Sequence, residues 1–165
     1  MTRDRKLALV TVVVALAALA AALGSERFGG LVPCALCLVE RWPYRVAAGL
    51  GILALVLPWR LPRQVLLWLV VVSMAASVAA AVVHVGVEQG RWPSPLPECA
   101  APTFGGGSIA ERLARMPSRP SKPCDDPTYL VPGLPVSMAG MNLLLSLALG
   151  GFLVVALSRP DRRAL

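Results

Sequence analysis

The chain has 165 residues, of which 56% are hydrophobic and only 15% are charged. That length suits one domain, residues 1–165, and this apolar composition exceeds the norm for soluble globular proteins. The formal net charge of +7 would suit a nucleic-acid partner, but aromatic residues are only 5% of the chain. No compact basic motif is present, and the basic residues stand beside long apolar runs instead. We therefore expect an all-α membrane protein that binds no nucleic acid.

Four apolar stretches predict four transmembrane helices. The first stretch is uncharged from Leu7 to Ser25, which at about 1.5 Å per residue crosses a hydrocarbon core of roughly 30 Å. Its basic start also fits a signal peptide, but the apolar run is longer than a usual signal sequence and further spans follow. The predicted spans are about 7–24, 43–57, 65–87 and 137–157.

The distribution of basic residues predicts the orientation of this four-helix bundle. Four spans place both termini and the short loop containing Arg60 and Arg63 on one side. Lys and Arg are dense beside the helix ends on that side, and few acidic residues accompany them. By the positive-inside rule that side is cytoplasmic. The outer loops, about 25–42 and 88–136, then carry all four cysteines on the oxidising side of a bacterial inner membrane.

The first outer loop contains two cysteines separated by two residues, Cys34 and Cys37. This spacing closes a small, reducible ring and is used by dithiol redox proteins. Pro33 suits the start of a helical turn whose N–H groups would face the Cys34 sulfur. Arg41 follows Cys37 by four residues, so that a helical continuation would put a permanent cation beside the thiol. The alternative is a plain stabilising disulfide, but so short a loop gains little entropy from one.

The second outer loop contains the separated cysteines Cys99 and Cys124 in a segment rich in proline and glycine. Prolines before both cysteines favour extended backbone that is open to a partner, and 105–107 is a glycine hinge. The alternative for this pair is a disulfide that only stabilises the fold. A four-thiolate zinc site is disfavoured because the second pair lacks close ligand spacing, so we expect no metal. Four cysteines allow three disulfide pairings.

A short amphipathic helix on the membrane surface is expected after the glycine hinge. Ile109, Leu113 and Met116 recur there at helical spacing, with charged residues between them. A solvated turn without membrane contact is the alternative.

Together these features resemble the DsbB family of quinone-dependent thiol oxidases over nearly the whole chain. The most specific match is Cys34-Ala-Leu-Cys37-Leu-Val-Glu40-Arg41 in the first outer loop. His84, near the outer end of the third span, fits a family position close to the quinone. The segment from Cys124 to Pro135 looks like the family's entry to the last helix.

The resemblance implies the disulfides Cys34–Cys37 and Cys99–Cys124 and a relay between them. A reduced, DsbA-like thioredoxin-fold protein would attack Cys99, and the released Cys124 would attack Cys34. Cys37 would then pass two electrons to ubiquinone or menaquinone, with Arg41 stabilising negative charge and His84 bonding a quinone carbonyl.

Two other functions stay open on the sequence. One is a small membrane scaffold or transporter subunit that its disulfides only stabilise. The other is a relative dedicated to one substrate, or one that carries electrons from quinol to a disulfide. Glu40, Trp42 and Arg45 receive no role beyond anchoring at the interface.

Overall fold

The computed structural model describes residues 1–99, 108–114, 122–131 and 133–159. These residues form helices and loops, without a named strand among them. The helices are α1 (Arg3–Arg27), α2 (Ala35–Val39), α3 (Arg41–Val56), α4 (Arg60–Glu88), α5 (Ile109–Ala114) and α6 (Met138–Ser158), and a 3-10 turn covers Pro97–Cys99.

Three of the described helices are long and apolar enough to cross a membrane, namely α1, α4 and α6. Helices α1 and α4 contain the predicted spans 7–24 and 65–87 and extend past them at both ends, whereas α6 agrees with the predicted span 137–157 to within one residue. The remaining long helix, α3, has 16 residues, or about 24 Å at 1.5 Å per residue, which is short for a hydrocarbon core of about 30 Å. The membrane crossing at 43–57 therefore stays a prediction.

The long helices pack in the spatial order α1, α3, α4, α6. Small residues allow close approach at these contacts: a Cβ on Gly51 of α3 would meet the Val12 side chain of α1 at 2.8 Å. The buried core between the helices is apolar and includes Leu67, Val70 and Met74 of α4. The two outer members of this order, α1 and α6, do not pack extensively on each other.

The end of the bundle that carries Arg60 and Arg63 is held by basic side chains. Arg63 is buried, and its guanidinium donates to the carbonyl oxygens of Ala54 at 3.0 Å and Leu57 at 2.6 Å. These are terminal carbonyls of α3 that have no partner within the helix. Arg60 pairs with Asp4 of α1 at 3.6 Å. The start of α1, the end of α3 and the start of α4 therefore meet at one end of the bundle.

The predicted surface helix agrees only in part with the structure. Helix α5 begins after Ser108, whose hydroxyl accepts from the Glu111 N–H at 3.3 Å while Glu111 accepts from the Ser108 N–H at 3.2 Å. This reciprocal capping box explains why the helix begins there. Met116 and the glycine hinge at 105–107 lie outside the described residues, and contact of α5 with lipid stays a prediction.

Candidate functional site

Cys34 and Cys37 lie at the end of the bundle opposite Arg63, on the turn that leads into α3. Cys34 immediately precedes α2, and its Sγ accepts a hydrogen bond from the backbone N–H of Cys37 at 3.1 Å. The two sulfur atoms are 2.8 Å apart and both residues are free thiols. A backbone N–H does face the Cys34 sulfur, as expected from the sequence, although the helix begins at Ala35 and not at Pro33. The Cys34–Cys37 disulfide stays a prediction, and the thiols are its reduced counterpart.

A histidine from α4 completes the surroundings of Cys34. His84 Nε2 lies 3.4 Å from Cys34 Sγ, and His84 Nδ1 lies 2.9 Å from Glu40 Oε1. His84 is 2% exposed and Glu40 is 6% exposed. Glu40 separates α2 from α3, so the break between these helices places a carboxylate against the ring. Glu40, His84 and Cys34 thus form a buried polar chain.

The thiol pair is electrostatically unequal. The hydrogen bond from Cys37 lowers the pKa of Cys34 below its ordinary value. The same contact, together with burial, raises the pKa of Cys37. Burial also raises the pKa of Glu40, against the opposing effect of the hydrogen bond to His84. In the dithiol state the more acidic sulfur is therefore the one beside His84.

The second cysteine pair packs against the first. Cys99 and Cys124 form a disulfide, and the Cys124 N–H donates to the Cys99 carbonyl at 3.3 Å. Both belong to one buried apolar cluster with Cys34 and Leu36. The backbones of Lys122 and Cys34 form an isolated parallel β-bridge. This bridge holds the segment before Cys124 beside the first cysteine pair.

The expectation that Cys99 is open to a partner is wrong for this state of the chain. Cys99 is only 4% exposed. The prolines before Cys99 predicted an extended backbone, but the structure has a 3-10 turn at Pro97–Cys99, and prolines carry no information about what packs over the sulfur. The residues 119–121 before Cys124 lie outside the described residues.

A pocket of about 240 Å³ lies beside Cys37, between α1, α3 and α6. Its walls are mainly apolar, and its polar groups come from Cys37, Glu40, Arg41, Tyr44 and Asn142. The apolar lining residues are Ala18, Leu19, Ala21, Ala22, Leu130, Met138, Met141 and Leu145. The pocket occupies the space where α1 and α6 fail to pack on each other.

Arg41 lies in the wall of this pocket, as its spacing from Cys37 suggested, but with a partner that the sequence did not indicate. Its guanidinium donates to the Glu26 carboxylate at the end of α1. Arg41 is buried, and an ion pair lowers the cost of burying its charge. Glu26 lies 15 residues before Arg41 in the sequence. The only sequence signal for this ion pair was an acidic residue near the end of a predicted helix.

Tyr44 and Asn142 are further pocket residues that sequence reasoning missed. The Tyr44 hydroxyl donates to Asn142 Oδ1 at 2.7 Å. Asn142 Nδ2 is buried without a hydrogen bond of ordinary geometry. The two polar positions inside apolar helices at 43–57 and 137–157 were the signal, since such positions are costly unless they have a use.

His84 is not among the residues that line the pocket. Both of its ring nitrogens have partners, Cys34 and Glu40. Its predicted bond to a quinone carbonyl stays a prediction, and the observed contact is with the thiol.

Apolar helices long enough to cross a bilayer, with two adjoining cysteine pairs at one end, define a helical membrane protein of the dithiol–disulfide class. Residues 4–156 match the sequence model of the family described as disulfide bond formation protein DsbB. The chain belongs to the DsbB family, and is thus an inner-membrane oxidoreductase of disulfide-bond formation.

One relative is an uncharacterized protein of Rickettsia prowazekii (strain Madrid E). It is 30% identical over 159 residues, which cover 96% of this chain and 90% of the relative. No solved structure matches the chain significantly.

Proposed function

We propose that this protein is a thiol oxidase that reoxidises a DsbA-like dithiol protein and passes the electrons to a membrane quinone. One observation carries the proposal: the two cysteine pairs share a buried cluster, and Cys37 of that cluster also lines a mainly apolar pocket. Disulfide exchange requires sulfur atoms that can reach each other. Electron transfer to a lipid-soluble acceptor requires an apolar site beside the last sulfur.

The exchange steps follow from the order of the sulfurs. A thiolate of the partner attacks Cys99, and a mixed disulfide forms as Cys124 is released. Cys124 then attacks Cys34 of the oxidised first pair and releases Cys37, while the second thiol of the partner resolves the mixed disulfide at Cys99. The partner leaves oxidised, and the two electrons reside on this chain. Closing the Cys34–Cys37 disulfide and restoring Cys99–Cys124 then releases two electrons and two protons.

The pocket beside Cys37 has the character that a quinone ring requires. Ligand sites of this kind are mostly apolar with a few converging polar groups. Asn142 Nδ2 is a buried donor that interacts with Glu40 but makes no hydrogen bond of ordinary geometry, and a carbonyl oxygen in the pocket would be a better acceptor. Arg41 would hold negative charge near Cys37. A quinone bound here would accept two electrons and two protons, and ubiquinone and menaquinone both satisfy this chemistry.

The proposed orientation puts both termini and the Arg60–Arg63 end in the cytoplasm and the cysteines in the periplasm. The buried Arg63 and the Arg60–Asp4 pair support it, because they gather basic residues at the end opposite the thiols. In this arrangement α3 is the fourth membrane span, with Arg45 stacked on Trp42 at the outer interface, 5.2 Å from its ring centroid.

The burial of Cys99 adds a requirement to the proposal. Its sulfur must become accessible before a partner can attack it. We therefore propose that binding of the partner moves the proline-rich segment before Cys99 away from α2.

The proposal is tested by following the oxidation of a reduced thioredoxin-fold dithiol protein by the purified chain with ubiquinone or menaquinone. We expect turnover only with quinone, and its loss in Cys34→Ser, Cys37→Ser, Cys99→Ser and Cys124→Ser. Cys37 of the first pair is only partly buried, so a small dithiol such as dithiothreitol should reduce that pair without passing through Cys99. Cys99→Ser should therefore still reduce quinone from dithiothreitol, whereas Cys37→Ser should not.

The second candidate is a membrane scaffold or transporter subunit without redox turnover, favoured by the deep burial of the Cys99–Cys124 disulfide. Under that function Cys99→Ser would lower the amount of folded protein but leave no periplasmic dithiol protein reduced. Absence of quinone-dependent oxidation by the folded wild-type chain would refute the oxidase.

A further inference from the structure

Three potential metal ligands from two parts of the chain converge at the first cysteine pair. The sulfurs of Cys34 and Cys37 and a ring nitrogen of His84 all lie within 4.8 Å of one another. Two of these residues are in the short turn before α3 and the third is in α4. The electron relay uses the two sulfurs, and the imidazole nitrogen that faces Cys34 gives them a third potential ligand.

We propose that the dithiol form of this chain binds a thiophilic divalent cation such as Zn²⁺ through Cys34, Cys37 and His84, which blocks its reoxidation. The blocking effect rests on the proposed oxidase function, whereas the metal site itself does not. Zinc takes sulfur and imidazole ligands in tetrahedral geometry, and three protein ligands leave one position for water.

The observed distances need little adjustment for such a site. With Zn–S bonds of about 2.3 Å and Zn–N bonds of about 2.0 Å, tetrahedral ligand atoms lie roughly 3.5–3.8 Å apart. The separation between Cys34 Sγ and His84 Nε2 is already 3.4 Å. The two sulfurs, at 2.8 Å, must separate by about 1 Å. Cys37 is only partly buried and lines the pocket, so its side chain has room for that change.

Glu40 supplies the outer support that histidine ligands of metals have. Its carboxylate oxygen lies 2.9 Å from His84 Nδ1, which fixes the ring with Nε2 toward the sulfurs. Carboxylate–histidine pairs of this kind orient the ring and raise its basicity as a ligand. Two thiolates also neutralise a divalent charge, which makes the complex compatible with its buried surroundings.

Metal binding at this site depends on the redox state of the cysteines. Zn²⁺ forms two Zn–S bonds and one Zn–N bond, and the two thiols release two protons. No electron is transferred. Because a disulfide has no thiolate to offer, the oxidised pair cannot form the site. A bound metal conversely occupies the two sulfurs whose electrons the oxidase must release.

The experiment is an anaerobic titration of the reduced, detergent-solubilised full chain with Co²⁺ as a spectroscopic probe. The Cys99→Ser/Cys124→Ser double variant is used beside the wild type, because it removes every other thiol. We expect one Co²⁺ per chain in both proteins, with visible bands of tetrahedral cobalt and sulfur-to-cobalt charge-transfer absorption. The same chain with Cys34 and Cys37 oxidised should bind none.

Variants of His84, the third ligand, and of Glu40, which supports it, test the proposed ligand set. His84→Ala should weaken Co²⁺ binding by more than about tenfold, and Glu40→Gln, which keeps all three ligands, by about 10- to 100-fold. If thermal denaturation shows that His84→Ala is not folded, the Co²⁺ affinity of Glu40→Gln becomes the deciding measurement. A double variant without sulfur charge-transfer bands, or unchanged affinity in Glu40→Gln, would overturn the proposal.

The consequence for turnover is measured separately. Adding Zn²⁺ to the quinone-dependent assay should stop oxidation of the dithiol partner, and a chelator should restore it. Continued turnover at Zn²⁺ concentrations that fill the site would overturn the blocking effect. The titration contains neither quinone nor partner, and the basal assay is run with chelator, so failure of the oxidase and failure of the metal site are separate results.

Discussion

The ion pair between Arg41 and Glu26 determines how much positive charge reaches the pocket. Arg41 is buried and its guanidinium is directed to a carboxylate at the end of α1. A paired guanidinium still has further N–H donors, so it can hold a second anion while Glu26 offsets part of its charge. Glu26 thus joins α1 to the turn that carries Cys37.

We predict that Arg41→Met raises the KM for quinone by about 10- to 100-fold, the value of one charge-assisted hydrogen bond. Both cysteine pairs should still oxidise, because neither disulfide involves the arginine. Glu26→Gln is the contrasting variant: it keeps the guanidinium and an amide acceptor but removes the offsetting charge, so its KM should not rise above the wild-type value. The measurement is steady-state quinone reduction, with free thiols counted by alkylation. Equal KM values for Arg41→Met and the wild type would contradict the role of Arg41.

Local spacing predicted part of the site, and residues distant in sequence supplied the rest. Cys34, Cys37 and Arg41 stand at recognisable intervals, whereas the pairing of Cys99 with Cys124 came from the family resemblance. The structure brings all five residues to one end of the bundle. His84 was identified by its match to a family position close to the quinone, but its contact with Cys34 depends on how α4 packs against α2. Glu26 and Asn142 had no interval to mark them, since their partners lie on other helices.

At the scale of elements, the end of α4 fixes the start of the segment that leads to Cys99. The Trp92 ring lies over Gly86, where an added Cβ would come within 1.9 Å of a ring carbon. The Trp92 indole N–H donates to the Val83 carbonyl at 3.0 Å. Only glycine leaves room for this ring, so a residue in α4 anchors the chain that follows it.

We predict that Gly86→Ala displaces Trp92 and lowers the free energy of unfolding by about 1–3 kcal/mol, the usual cost of overpacking. Oxidation of the dithiol partner should also slow, since the anchor of the segment before Cys99 is lost. Gly49→Ala in α3 is the control, because nothing lies within 4 Å of its added Cβ and alanine favours a helix. Thermal denaturation in detergent and tryptophan fluorescence report both effects. If the two variants have the same stability, the packing of Trp92 on Gly86 is not an anchor.

At the scale of the whole molecule, the helix order α1, α3, α4, α6 leaves an opening between its two outer members. The apolar runs at 7–24, 65–87 and 137–157 predicted the helices, because length and hydropathy are properties of one segment. The order in which helices pack is a property of pairs, and hydropathy does not encode it. The pocket beside Cys37 could therefore not be located from the sequence.

This opening predicts that the acceptor enters sideways, from the lipid, between α1 and α6. Ala22 of α1 lines the pocket, whereas Ala20 of the same helix is exposed. Ala22→Phe should fill part of the pocket and weaken quinone use by about 5- to 150-fold, the equivalent of about 1–3 kcal/mol of overpacking.

Ala20→Phe adds the same side chain outside the pocket and should leave the KM for quinone unchanged. The partner's exchange with Cys99–Cys124 takes place away from both positions, so a single round of partner oxidation without quinone should proceed at the wild-type rate in both variants. Steady-state kinetics over a range of quinone concentrations separates the two effects. If Ala22→Phe and Ala20→Phe reduce quinone equally well, the acceptor does not occupy the space between α1 and α6, and Cys37 must deliver its electrons by another route.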